Sequence, residues 1–119
     1  LPLATAQAIA ERFAAEGCIA KVSSIHVNAW IGQHDKLTTS LRMLREVFDI
    51  ESESAAAKVA YCGDSPNDEP MFAFFEAGFG VANISPFLAM MKSKPRYGTS
   101  LSGGEGFAQV ADALIAARR

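Results

Sequence analysis

The segment at residues 61–68, Tyr-Cys-Gly-Asp-Ser-Pro-Asn-Asp, constrains the fold more than any other part of the chain. An apolar run leads into this segment and stops abruptly at Gly-Asp, which is typical of a buried strand that ends at Asp64. Ser65 suits the N-cap of a helix, and Pro66 suits the first helical position. We therefore predict a strand, an acidic turn and a helix, with Asp68 in the first turn of that helix. In parallel α/β sheets, ligands bind where strands end in this way.

The two carboxylates of this turn allow two interpretations. Together with an asparagine and a hydroxyl they form an all-oxygen set that suits a hard cation such as Mg²⁺. Alternatively, Asp68 lies third after a serine cap, where an acid simply complements the helix dipole. Asp64 is then an ordinary turn residue. The spacing alone leaves both interpretations open.

Composition indicates one soluble globular domain and excludes several kinds of partner. The chain has 119 residues, of which 50% are hydrophobic and 20% charged, which is enough for a small domain with a core. A net charge of -2 gives no reason to expect nucleic acid or a membrane surface. No stretch is apolar enough to span a bilayer, and no signal pattern opens the chain. We expect a cytoplasmic protein in which Cys18 and Cys62 are buried, reduced thiols.

The first 34 residues predict a helix followed by a hairpin, with a change in composition at their end. Apolar residues recur at helical spacing over residues 4–16. We expect strands at residues 18–22 and 25–31, joined by a turn at residues 23–24.

In the second strand of this hairpin, polar and apolar side chains alternate. Ile25, Val27, Ala29 and Ile31 would pack, and the opposite face carries three side chains that can hydrogen-bond, namely His26, Asn28 and Trp30. These three could line a substrate surface, or they could belong to a solvated strand face. The tryptophan is the better sign of a contact, since tryptophan on a polar face usually stacks on a partner.

A strongly amphipathic helix is predicted after Asp35, which suits its cap. Apolar residues follow at helical spacing (Leu37, Leu41, Leu44 and Phe48), and the pattern ends near Asp49. Lys36 lies in the first turn, where the helix dipole makes a cation mildly unfavourable. This lysine either awaits an anion or is an ordinary solvated surface residue.

The rest of the chain predicts further α/β elements around the acidic turn. In order they are a polar linker at 51–57, the strand at 59–62, a helix from about 68 to 77, a second buried parallel strand at 79–83, a short helix at 86–91, an extended segment at 95–99, a flexible loop at 102–106 and a closing helix at 107–117. The compact strand, helix and strand imply a right-handed crossover. The glycine-rich loop does not have the spacing of a phosphate-binding fingerprint.

Three motifs in this order resemble the C-terminal part of a haloacid dehalogenase (HAD) superfamily phosphatase. They are Asp-Lys-Leu at 35–37, Gly-Asp-Ser-Pro-Asn-Asp at 63–68 and Gly-Val-Ala-Asn at 80–83. The most similar subgroup carries a C2-type cap and includes the Cof-like, sucrose-phosphate and mannosyl-3-phosphoglycerate phosphatases. The resemblance implies an α/β fold: residues 35–119 would be the C-terminal half of a Rossmann-like parallel-sheet core. Residues 1–34 would be the last α-β-β piece of the cap.

The resemblance also implies an activity and a role for each matching residue. The protein would be a Mg²⁺-dependent hydrolase acting on a phosphate monoester, such as a sugar phosphate or a similar small metabolite, through an aspartyl-phosphate. Asp64 would bind Mg²⁺ directly, and Asp68 would support the metal and its waters. Lys36 would bridge the catalytic carboxylate and the phosphate, with Asn83 near the phosphate and Gly63, Ser65 and Asn67 shaping the loop. His26, Asn28 and Trp30 would lie on a cap sheet that can face the substrate.

The chain departs from this family in lacking the nucleophile. The family attacks with an aspartate in an Asp-x-Asp motif, and no two of the five aspartates here are two positions apart. Leu37 also stands where many relatives have glycine. The chain starts at Leu1 without methionine, so we expect a fragment completed by its own N-terminal part or by a second chain. Expressed alone, it would be inactive and would form homo-oligomers or swap strands.

Two other functional classes remain open from the sequence. A catalytically silent half could serve as a binding or assembly module. A receiver-like phospho-acceptor domain also gathers acids and a lysine at a strand end, but there the acids come first. Here Lys36 precedes Asp64, which disfavours that class.

Overall fold

The structure, a computed structural model, describes residues 2–22 and 26–118. It divides into two compact units, residues 1–35 and residues 36–119. None of the described helices combines the length and the apolar character that crossing a membrane requires.

The first unit is a helix with an antiparallel hairpin. Its elements are α1 (Leu3–Ala15), β1 (Ile19–Val22) and β2 (Val27–Trp30). Ile19 pairs with Trp30 and Lys21 with Asn28, so these four side chains share one face of the hairpin. The helix, the first strand and the hairpin agree with the sequence. The predicted turn at residues 23–24 and the strand start at Ile25 lie outside the described residues.

The predicted strand alternation is wrong at two residues of the face expected to pack, and the first is Ala29, which is exposed within β2. The second is Ile31, which the alternation places on the packed face, although β2 ends at Trp30 and Ile31 is 79% exposed. The chain turns at Gly32, whose φ of 100° lies in the left-handed region that favours glycine. Ile31 therefore belongs to the turn rather than to the strand.

The second unit holds a parallel sheet between helices. Its elements are α2 (Lys36–Phe48), α3 (Ser52–Lys58), β3 (Ala60–Gly63), a 3₁₀ helix (Pro66–Asp68), α4 (Glu69–Phe74), β4 (Ala77–Gly80), a second 3₁₀ helix (Ala82–Phe87), β5 (Tyr97–Gly98) and α5 (Gly103–Ala117). The strands pair in parallel in the order β3-β4-β5. This is a Rossmann-like half-domain, and the predicted α/β class is confirmed.

Two clusters of apolar side chains form the core of this unit. Leu44, Ala55, Met71 and Phe75 make up the first, and Phe72, Ile84 and Met91 the second. Tyr61 of β3 packs against both clusters. Packing against both clusters therefore fixes the side chain of Tyr61 near the carboxyl end of β3.

The predicted linker at residues 51–57 is instead the helix α3. Glu51 occupies its N-cap position, and Glu53 lies in the first turn, where an acid is favourable. Ala55 is completely buried in the first cluster beside Leu44. The short side chains that suggested a linker are those that let this helix pack closely against the core.

Three further boundaries differ from the sequence prediction. The helix after the acidic turn ends at Phe74, and Gly78 lies inside β4, where an added Cβ would come within 3.1 Å of the Phe72 ring. The short helix predicted from Pro86 is a 3₁₀ helix that begins earlier, at Ala82. The extended segment at 95–99 contains β5, as predicted.

The glycine-rich segment predicted as a flexible loop is the first turn of α5. Gly106 is buried, and a Cβ there would lie 2.3 Å from the carbonyl oxygen of Leu101. Glycine at this position permits close approach of two backbone segments rather than flexibility.

Candidate active site

A cavity of about 380 Å³ opens at the carboxyl end of β3. Its charged side chains are Lys36, Asp64 and Asp68. The first turn of α5 contributes Gly103 and Gly104 to the same wall. The start of two helices and the end of a strand thus meet around one polar concavity, as expected for a ligand site in a parallel sheet.

Asp68 is the centre of the hydrogen-bond network in this cavity. One carboxylate oxygen, Oδ1, accepts from the ammonium of Lys36 and from the hydroxyl of Tyr61 at 2.6 Å. The other, Oδ2, accepts from the backbone amides of Asp64 at 2.9 Å and Ser65 at 3.2 Å. The Ser65 hydroxyl lies 3.5 Å from the same oxygen. Asp68 is buried, and these partners compensate its charge.

Local sequence explains why the turn adopts this shape. Ser65 and Asp68 form a capping box, in which each side chain bonds the backbone of the other end of the turn. Gly63 makes room for the carboxylate, because a Cβ at this position would lie 2.5 Å from Asp68 Oδ2. The Gly-Asp-Ser-x-x-Asp spacing therefore places a buried carboxylate directly under the end of β3.

The charges of the site are set by this network. Burial alone would raise the pKa of Asp68, but the hydrogen bonds from Lys36, Tyr61 and the Asp64 amide outweigh it, so the pKa lies below its usual value. Asp68 is therefore an anion at neutral pH. Burial, followed by the hydrogen bond to this anion, raises the pKa of Tyr61. Burial and the neighbouring carboxylates also raise the pKa of Cys62.

Asn83 connects Asp64 to the start of α5. Its side-chain nitrogen lies 3.3 Å from Asp64 Oδ2, and its side-chain oxygen accepts from the Gly103 amide at 2.9 Å. Asp64 itself is exposed. A single asparagine after β4 thus orients the exposed carboxylate of the neighbouring strand and the first turn of the last helix.

Of the two carboxylates at the cavity, only that of Asp64 is placed to bind a magnesium ion. Within residues 2–22 and 26–118, no group of three or more His, Cys, Asp or Glu side chains is placed to hold a metal ion. Both oxygens of Asp68 are already engaged by protein donors. Asp64 is exposed, and Mg²⁺ typically binds through one or two carboxylates while waters and phosphate oxygens complete its shell. The one exposed carboxylate, that of Asp64, lines the polar cavity and meets that requirement.

Most of the residues predicted from the core motifs lie together at this site. They are Lys36, Gly63, Asp64, Ser65, Asp68 and Asn83. Asn67 is exposed in the 3₁₀ helix, and its part in shaping the loop stays a prediction. The metal, phosphate and catalytic roles of these residues are likewise predictions.

The three residues predicted to face the substrate from a cap sheet, His26, Asn28 and Trp30, belong to the first unit. His26 and Asn28 are exposed, whereas Trp30 is half-buried with its ring 6.1 Å from that of His34. The indole nitrogen of Trp30 is buried and has no hydrogen-bond partner in the described part of the chain. Their role in substrate binding stays a prediction.

Sequence reasoning missed two contributions to the site. The apolar run predicts only a buried strand at Tyr61, although a tyrosine hydroxyl near the end of such a strand signals a polar partner. The first turn of α5 was assigned to a loop, so Gly103 and Gly104 were not expected at the cavity. Cys18 and Cys62 are free thiols, as predicted, but both are half-buried rather than buried.

Comparison with known proteins finds similarity in sequence to a phosphatase and in structure to a solved protein. No family model matches the chain. The chain is 35% identical over 79 residues to a phosphoglycolate phosphatase of Methanothrix thermoacetophila, which covers 66% of this chain and 32% of that protein. A crystal structure of a Thermoplasma acidophilum protein matches 95% of this chain and 47% of its own, with a TM-score of 0.63 and 19% identity. The chain thus spans about a third of the curated relative and about half of the solved one. The structural likeness shows a shared fold.

Proposed function

We propose that residues 1–119 are part of a Mg²⁺-dependent phosphatase of the HAD type, whose nucleophilic aspartate lies outside these residues. The observation that carries the proposal is the salt bridge between Lys36 and the buried Asp68, beside the exposed carboxylate of Asp64. The sequence similarity to a phosphoglycolate phosphatase supports the same reaction class.

Phosphoryl transfer to a carboxylate brings two anions together, and this site supplies the compensating charge. Lys36 reaches the cavity from the start of α2 with half of its side chain exposed, while Asp68 holds its ammonium in place. In the proposed enzyme this lysine contacts the transferring phosphate and the attacking carboxylate. Fixed positive charge at such a position stabilises the transition state more than mobile solvent does.

Asp64 is the residue that would hold the metal ion. When bound, Mg²⁺ neutralises charge on the phosphate and the nucleophile. The chain's own contribution is to keep Asp64 oriented: Asn83 donates to one of its oxygens, and its backbone amide is fixed by Asp68. Asp68 would act on the metal's waters only indirectly, because its oxygens are engaged.

The proposed substrate is a small phosphorylated metabolite in the cytoplasm. The curated relative is named for phosphoglycolate, and the resemblance of the core motifs to the C2-capped group favours sugar phosphates or similar compounds. Residues 1–34 would belong to the cap of that group, with His26, Asn28 and Trp30 available to the substrate. The missing Asp-x-Asp would come from the same protein or from a second chain.

The test uses the natural protein that contains residues 1–119. Release of inorganic phosphate is measured from phosphoglycolate and a panel of sugar phosphates, with Mg²⁺ and with EDTA. We expect Mg²⁺-dependent turnover that falls on the order of 10²-fold in Lys36→Ala. Lys58→Ala, a substitution in the last turn of α3 away from the cavity, is the matched control. Binding of the phosphate esters without hydrolysis would instead support a silent binding module.

A further inference from the structure

We infer that Tyr61 is a positioning residue, which holds the Asp68 carboxylate and, through it, the Lys36 ammonium in the orientation that phosphoryl transfer needs. The inference rests on the phosphatase function proposed above and adds a residue that the core motifs do not include. Its basis is the shared acceptor: Tyr61 and Lys36 donate to the same oxygen, Asp68 Oδ1.

The two donors on this oxygen reach it from different parts of the fold. Lys36 begins α2, whereas Tyr61 is the second of the four residues of β3, with its hydroxyl 2.6 Å from the acceptor. The other oxygen of Asp68 is held by the backbone of its own turn, at Asp64 and Ser65. Among the described residues, Tyr61 is therefore the only strand residue whose side chain donates a hydrogen bond to the Asp68 carboxylate.

Aromatic contacts in the core hold the Tyr61 ring in place. It stacks on Phe75 with ring centroids 6.0 Å apart and meets Phe72 edge-on at 5.6 Å. Both phenylalanines are buried core residues. The position of the hydroxyl is thus set by aromatic packing, not by the flexible lysine.

The hydroxyl also shares the negative charge of Oδ1 with the lysine. The phenol keeps its proton at neutral pH because burial and the adjacent anion raise its pKa, so it is a constant neutral donor. Without it, Lys36 would be the sole side-chain donor to this oxygen. The carboxylate could then turn toward the lysine and draw its ammonium away from the cavity.

The consequence is a loss in turnover that depends on Lys36. Partners that orient a functional charge typically contribute 10- to 100-fold in activity, and we expect Tyr61→Phe to lower kcat about 10-fold. The effect should fall on kcat rather than KM, since the lysine neutralises charge that develops in the transition state. Phenylalanine keeps the ring and its packing, so the fold should persist.

The experiment is a double-mutant cycle in the natural protein that contains residues 1–119. The wild type, Tyr61→Phe, Lys36→Met and the double variant are assayed with p-nitrophenyl phosphate and Mg²⁺, and each is unfolded in urea. In the Lys36→Met background, Tyr61→Phe should change kcat by less than about 2-fold, because the two residues act as one unit. Tyr97→Phe is the matched control, as Tyr97 is exposed in β5 and stacks on Phe79.

The outcomes separate this inference from the function on which it rests. A wild type without Mg²⁺-dependent turnover would overturn the proposed function and this inference together. An active wild type with a fully active Tyr61→Phe variant would overturn the inference alone. An equal loss of kcat in both lysine backgrounds would also overturn it, because the hydroxyl would then act through stability, which the urea midpoints would record. A loss confined to the Lys36 background, without a matching shift in unfolding, supports it.

Discussion

Lys36 and Asp68 form a salt bridge across 32 positions of sequence, tying the start of α2 to the turn after β3. The pair is unequal: the Asp68 side chain is 4% exposed and that of Lys36 is 52% exposed. The buried anion needs the lysine, while the lysine still reaches the cavity. This explains why a cation stands at the start of a helix, where the dipole disfavours it.

Lys36→Ala should reduce turnover strongly and lower the free energy of unfolding moderately. Loss of a positioned cation lowers kcat on the order of 10²-fold. It also leaves Asp68 Oδ1 with Tyr61 as its side-chain donor, at a cost of about 1–2 kcal/mol in the free energy of unfolding. Steady-state kinetics and urea unfolding of the natural protein measure the two effects. Unchanged turnover with the same loss of stability would reduce Lys36 to a structural partner of Asp68.

Asp64→Asn should weaken Mg²⁺ binding, because it removes the exposed carboxylate of the site. The control is Asp49→Asn, at the end of α2. Asp49 has a φ of 54°, a left-handed conformation that asparagine also adopts readily, so this substitution removes a charge without straining the backbone. Calorimetric titration with Mg²⁺ in the presence of inorganic phosphate compares the two. Equal affinities in both variants would remove Asp64 from the metal site.

Gly106→Ala should destabilise the protein, whereas Gly104→Ala should not. The new methyl group at 106 would lie 2.3 Å from the Leu101 carbonyl oxygen, and such overpacking costs about 2–3 kcal/mol. At Gly104 an added Cβ would meet no heavy atom within 4 Å beyond its chain neighbours and the nearby backbone of its own helix. Alanine is also favoured over glycine in a helix by up to about 1 kcal/mol. Urea unfolding of both variants gives the comparison. Equal stabilities would mean that the start of α5 shifts to accept the methyl group.

Acid should remove the stabilisation that Asp68 provides. Its pKa in the folded protein lies below the ordinary value of 3.8, so the ionised carboxylate stabilises the fold above that value. This contribution is lost as the pH falls from about 4 through the lowered pKa. The difference in unfolding free energy between the wild type and Asp68→Asn should be constant near neutral pH and should shrink in that acidic range. Urea titrations in EDTA from neutral to acidic pH measure it, and a difference that grows on acidification would contradict the assignment.

The sequence predicts the local shape of the site because that shape depends on neighbouring residues. Gly63, Ser65 and Asp68 lie within six positions, and a capping box needs nothing from elsewhere in the chain. Lys36 could be placed in the first turn of its helix for the same reason. The apolar runs likewise indicated parallel strands before any pairing was known.

The parts that the sequence did not predict depend on contacts between distant segments. The Ser/Ala-rich stretch around Ala55 is helical because the core cluster with Leu44 needs a small buried side chain. The glycines at the start of α5 form a helical turn in which Gly106 approaches the Leu101 carbonyl oxygen too closely for a Cβ. Tyr61 contacts Asp68 only once a turn has brought the carboxylate back under its own strand. No local pattern encodes these distances.

The free edge of β3 leads to a prediction for residues 1–119 expressed alone. In the described sheet β3 pairs only with β4, and Ala60 at its start is exposed. An unpaired edge on an apolar strand offers its N–H and C=O groups to another chain. We therefore expect residues 1–119 alone to lack phosphatase activity and to associate through this edge. In the proposed phosphatase, a strand bearing the nucleophile would pair there.

Light scattering after gel filtration, together with urea unfolding and a phosphate-release assay, tests this edge. The matched variant is Ala60→Lys: a charge on an exposed edge strand opposes pairing, so its apparent mass should shift toward that of the monomer. A monodisperse wild-type monomer that unfolds cooperatively would show that the edge is already satisfied. Mg²⁺-dependent turnover by such a monomer would go further, because the nucleophile would then have to be one of the five aspartates already in this chain.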